Sequence, residues 1–187
     1  MNVDRPLDFA PDFNARAAAN ESPRASVPVS AWPTDVDELI AWMRVHSDVA
    51  LFGPGLTLEQ HARATATWAR RSGACDSLIA AAVLHELPFI EDVPTRDAWL
   101  PMPWLRTIFP DSVLGPIRLL SAARAWRSLL AGQHGRVEEP DAFLSRPHAA
   151  RAVRLAEFEE AARRGGVDET ALPWSALMPV LSRVSLI

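Results

Sequence analysis

Residues 57–87 read TLEQHARATATWARRSGACDSLIAAAVLHEL, and this run decides the fold. Thr57 is a good N-cap. A helix follows from Leu58 to about Arg71 and stops at Gly73. Asp76 or Ser77 opens the next helix, DSLIAAAVLHEL, whose side chains are almost all apolar. A helix apolar all round is one that packs on every side, so this is the expected centre of a bundle. His61 lies beside Leu58 and Ala62 on the first helix, and His85 and Glu86 close the second. An imidazole and a carboxylate in the most hydrophobic helix must be satisfied, because an unpaired buried charge costs several kcal/mol. Two solutions meet that demand: a bound metal ion, or hydrogen bonds to backbone and arginine.

The rest of the chain extends the helical reading. Pro33-Thr34 opens a helix, with Thr34 as N-cap, Asp37 three residues on, and Val36, Leu39, Ile40 and Met43 at helical spacing. Gly53-Pro54-Gly55 is a turn. Residues 90–103, with three prolines, read as an irregular crossing loop, and Trp104 to Phe109 as a short helix. Asp111 caps a long helix from Ser112 to about Ala131, which Pro116 kinks or starts late. After a loop from Gly132 to Pro140, a helix runs from Ser145 and Pro147 to Arg164, ending at Gly165-Gly166. A last one spans about Pro173 to Arg183. No strand pattern or repeat interrupts this, so the expected fold is all-α, a bundle of six or seven helices over 32–187. Residues 1–31, broken by Pro6, Pro11, Pro23 and Pro28, read as a disordered or extended tail.

Composition narrows the function classes. At 187 residues the chain suits one domain, and 49% hydrophobic with 22% charged residues is a globular profile. The net charge is −4 with no basic block, which argues against nucleic acid or an anionic membrane as partner. There is no lysine among the 19 basic residues, which excludes a P-loop, a Schiff base and a lysine general base. One cysteine, Cys75, excludes an internal disulfide and any multi-cysteine metal site. No apolar run reaches membrane-span length, and the N-terminal MNVDRPLDFAPDF has acids and prolines where a signal peptide needs a basic and an apolar region. A cytoplasmic protein is expected.

Three segments together resemble the HD-domain superfamily of metal-dependent hydrolases, nearest the small branch containing the phosphonate-degrading HD-domain oxygenases. They are 57–87, FPDSVLGPIRLLSAARAW at 109–126 and SRPHAARAVRLAEFEEAAR at 145–163. Carried over position by position, the resemblance implies a mononuclear site of His61, His85, Glu86 and Glu159, with glutamate at both positions where the family has aspartate. Two imidazoles and two carboxylates suit one divalent transition metal such as Fe, Mn, Ni or Zn. The family's second metal site is missing ligands: Phe89, Asp97 and Leu120 stand where histidines are expected. Arg124 replaces the lysine of the long helix, and Phe52 a tyrosine of the oxygenase branch.

The implied activity is hydrolysis of a small phosphorylated compound, with Glu86 orienting the attacking water and Arg118 and Arg124 binding phosphate oxygens. Two other readings stand beside it: a degenerate HD-domain protein that binds a ligand or partner without catalysis, and an iron-dependent oxygenase of an organophosphonate with altered ligands. Single residues also carry plain alternatives. Glu157 and Glu160 flank Glu159 on what is equally a solvated acidic face, and a one-residue shift of register would turn Glu160 inward. Arg118 and Arg124 equally fit surface ion pairs. Cys75, at a helix start, is either a thiol of lowered pKa or an incidental residue. His46, His134 and His148 have no context beyond loops and helix ends, and Trp99 and Trp104 either line a pocket mouth or belong to the core.

Overall fold

A computed structural model describes residues 32–45, 57–87, 103–132, 140–165 and 170–187. The tail 1–31, the turn at 53–55, nearly all of the crossing loop and the loop 133–139 lie outside the described residues, as do His46, Phe52, Phe89, Asp97, Trp99 and His134. Every element among the described residues is helical: α1 Val36–Val45, α2 Leu58–Arg71, α3 Asp76–Leu84, α4 Leu105–Ile108, α5 Asp111–Arg118, α6 Leu120–Leu130, α7 Pro140–Leu144, α8 Ala149–Gly165 and α9 Trp174–Val184. The fold is all-α, with nine helices among these residues rather than six or seven. None is long and apolar enough to cross a membrane.

The apolar run of the third helix puts it at the centre, as the sequence predicts. Leu78 to Leu84 are all buried, and α3 packs against α2, α5, α8 and α9. Its neighbours present small side chains to it and to each other. On α2 the buried positions Leu58, His61, Ala62, Thr65, Ala66 and Ala69 form one stripe at steps of three and four. On α8 Ala149, Ala152, Leu155, Ala156, Glu159 and Ala162 form another. Alanine at these contacts lets the helix axes approach closely, so polar side chains on the same stripes meet across the interface.

The caps fix the phase of those stripes. Thr57 caps α2 through a full capping box: its side chain accepts from Gln60 N, and the Gln60 side chain accepts from Thr57 N. Gly73, at φ +68°, ends the segment in the left-handed region that glycine adopts without penalty. The first helix is capped one residue later than the sequence suggests. Asp35 Oδ1 accepts from Glu38 N at 2.8 Å, while Thr34 donates to the Glu38 carboxylate through both its N–H and its hydroxyl.

The long helix expected over 112–131 is two helices, α5 and α6, broken at Leu119 (φ −95°, ψ 0°). Pro116 lacks the N–H that would bond to Ser112 O, and Arg151 of α8 supplies a donor to that carbonyl instead, at 3.1 Å. The helix expected from Ser145 begins at Ala149, after the short α7 and a turn. His148 stands just before it at φ +68°, rather than in a first helical turn. Its Nε2 lies 2.9 Å from Asp111 Oδ2. Its ring fills the space over Gly115, where an added Cβ would come within 2.3 Å of His148 Cδ2. At the other end of the chain, Leu186 N donates to Ile108 O at 2.8 Å, tying the last residues to α4.

Candidate metal centre

His61, His85, Glu86 and Glu159 converge. Each offers a ligand atom within 4.8 Å of the others, and all four side chains are buried. This is the single such cluster among the described residues. Three helices bring it together: α2 carries His61, the end of α3 delivers His85 and Glu86, and α8 carries Glu159.

Local bonds orient the two rings. His61 shares the buried stripe of α2 with Leu58 and Thr65, and Thr65 Oγ1 donates to His61 O at 2.8 Å. His85 terminates α3 with helical dihedrals. Its Nδ1 lies 2.8 Å from Ala82 O, a contact that requires Nδ1 to carry the proton. In the neutral ring the lone pair is then on Nε2, which faces the cluster. A backbone carbonyl behind a histidine is how metal-binding imidazoles are commonly oriented.

Glu86 Oε1 lies 3.1 Å from His85 Nε2 and 3.5 Å from His61 Nε2, and the two Nε2 atoms are 3.3 Å apart. Glu86 Oε1 is buried and accepts no well-formed hydrogen bond among the described residues. Ligands bound at roughly 2.0–2.1 Å, at angles between tetrahedral and octahedral, lie about 2.8–3.4 Å from one another. The observed triangle of two nitrogens and one oxygen is close to that spacing, so the donor set fits a small divalent ion. Burial above all, with His85 beside it, holds the His61 imidazole below its usual pKa, against the pull of Glu86. Burial drives the Glu86 carboxyl upward, but the approach of His85 and His61 outweighs it and keeps the group well below the usual carboxylate range.

Glu159 sits differently. Arg124 Nε donates to its Oε2 at 2.7 Å and Arg124 Nη2 to its Oε1 at 2.5 Å, a two-pronged pairing from α6. Arg163, one turn further along α8, donates to the same Oε1 at 2.5 Å. Arg124 Nη2 is also 3.8 Å from Glu86 Oε1. Arg124 thus joins the cluster through both carboxylates.

Arg118 does not join it. The guanidinium reaches back along α5 to pair with Asp111, which also meets His148. It lines a separate surface cleft with Arg106, Phe109, Leu114 and Leu186. Leu120 is buried and apolar at the start of α6. The register of α8 is the expected one: Glu159 is inward, while Glu157 and Glu160 pair with Arg127 on the outer face. Arg163 has almost no signature in the sequence. Its only signal is a spacing of four from Glu159, which is also the spacing of an ordinary surface ion pair.

Cys75 is exposed at the N-cap of α3, and Arg151 Nη2 donates to its sulfur at 2.7 Å. Trp104 precedes α4 and stacks on Trp32, with ring centroids 5.5 Å apart, and both pack against the core. The chain matches no family model, and no curated protein matches it. The HD-domain resemblance therefore rests on this chain's own residues.

Proposed function

We propose that this chain is an HD-domain-like, metal-dependent hydrolase of a small phosphorylated compound, working in the cytoplasm with one divalent transition metal (Fe, Mn, Ni or Zn). His61, His85 and Glu86 would hold the ion, with Glu159 in reach as a fourth ligand. The observation that carries this reading is the triangle of His61 Nε2, His85 Nε2 and Glu86 Oε1, with edges of 3.1–3.5 Å around a buried carboxylate oxygen that lacks a well-formed hydrogen bond. A bound divalent ion would supply Lewis acidity to a phosphoryl oxygen and to water. The chain's residues do the rest. Glu86 orients the attacking water, and Arg124 forks onto the non-reacting phosphoryl oxygens. Arg118 is left out of this assignment, since it faces another cleft.

The test is elemental analysis of protein purified without chelator. Close to one transition metal per chain is expected, and His85→Ala should abolish it. A stoichiometry near zero after metal supplementation would end the enzymatic reading. The degenerate, non-catalytic reading is favoured by one observation: both oxygens of Glu159 are already taken by arginine. It predicts that result, together with a cluster held by hydrogen bonds alone. The oxygenase reading would need two irons and oxygen uptake with a phosphonate. Leu120, which offers no ligand atom, speaks against it.

A further inference from the structure

Among the described residues, the charges that meet at the cluster are balanced before any ion arrives. Glu86 and Glu159 contribute two negative charges, and Arg124 and Arg163, both donating to Glu159, contribute two positive ones. The imidazoles must be neutral to ligate. A divalent cation added to this set leaves two positive charges uncompensated in a buried setting, where charge is poorly screened. The side chains of His61 and Glu159 are wholly buried and that of Glu86 nearly so, whereas Arg124 and Arg163 are 24% and 34% exposed. The excess charge is therefore presented to solvent through two guanidiniums, whose planar forks match the oxygens of phosphate.

Resting on the metal-site reading above, we infer that Arg124 couples the cation to an oxyanion. A divalent metal and a phosphate-type dianion bind as a pair, each raising the affinity of the other. In the balanced state Arg124 is engaged by Glu159 and neither ligand alone suits the site. The cation alone meets a guanidinium 3.8 Å from Glu86 Oε1, and the anion alone meets no net positive charge among these described residues. Together they restore neutrality, and linkage makes the effect reciprocal.

The experiment titrates Mn²⁺ into the full chain and reads free Mn²⁺ by electron paramagnetic resonance. It is run with and without inorganic phosphate, with chloride matching the ionic strength. Phosphate should tighten Mn²⁺ binding by about 5- to 100-fold. Arg124→Gln should bind Mn²⁺ about tenfold more tightly without phosphate, because a nearby cation is removed and Glu159 released, and most of the phosphate effect should vanish. Unchanged Mn²⁺ affinity in phosphate overturns the coupling and leaves the metal site standing. Absence of Mn²⁺ binding under both conditions overturns the metal reading and the coupling with it. A folded Arg124→Gln that keeps the full phosphate effect removes Arg124 as its carrier. Should that variant not fold, the wild-type comparison decides the coupling, and Arg124→Lys, which keeps the charge but loses the fork, reports on the residue by a reduced phosphate effect.

Discussion

Glu159 is the most demanding single residue in the molecule. Its carboxylate is wholly buried and receives three hydrogen bonds from two arginines. Glu159→Gln keeps the shape but removes the charge those arginines face, so it should lower stability by about 3 kcal/mol, the low end for a broken buried pair, since both guanidiniums reach water. Urea denaturation measures this, and a loss under ~0.5 kcal/mol would contradict the pairing. Cys75 offers a second check. Burial raises its thiol pKa, but the hydrogen bonds from Ser77 and Leu78 and the Arg151 guanidinium outweigh it, so the net shift is downward. Thiolate therefore persists to lower pH than in a free thiol, and the pH profile of alkylation should move upward in Arg151→Ala. At this scale the sequence shows His61, His85 and Glu86 clearly, because polar groups among apolar neighbours require an explanation. It does not separate Arg124 from Arg118, since both are arginines on one apparently continuous helix. Only the break at Leu119 and the pairing of Arg118 with Asp111 give them different tasks.

At the scale of elements, α2 is legible because a cap, a stripe and a terminator agree, α3 because its run is apolar throughout, and the body of α8 because a buried stripe ends at a glycine. The α5–α6 break is not, since Pro116 signals a disturbance without fixing where the helix yields. The start of α8 is missed because a histidine at positive φ has no sequence signature. Gly115 depends on that histidine. An alanine there would drive a methyl group into the ring of His148, so Gly115→Ala should cost about 1–3 kcal/mol by overpacking. Adding His148→Ala should recover part of it, a non-additivity a double-mutant cycle reads directly. Thr57→Ala removes one half of the capping box and should cost about 1 kcal/mol in thermal denaturation, with no change in the α3 end of the site.

For the molecule as a whole, every side-chain cation is an arginine or a histidine, and ion pairs link helices distant in sequence. Arg127 joins α6 to Glu157 and Glu160 of α8, and Arg183 joins α9 to Asp76 of α3. Burial raises the Glu160 pKa, but Arg127 and Arg164 outweigh it. Arg118, ahead of a smaller burial effect, and His148 lower that of Asp111. Both folded pKa values lie below the ordinary 4.5 and 3.8, so the unfolded chain binds more protons in acid. Their contribution is present above those values and is lost as pH falls through and below them. The melting-temperature difference between the wild type and Arg127→Gln should be constant near neutrality and shrink below about pH 4.5, as Glu160 takes up its proton. The helix α8 also links two distant contacts. His148 seats its start against Gly115, and eleven residues later, about 16 Å along a rigid axis, Glu159 meets Arg124. The seat acts as a depth stop for the whole rod. A substitution that lifts His148 off its glycine should slide the far carboxylate out of alignment with its guanidinium, so a change remote from the cluster would still blunt it.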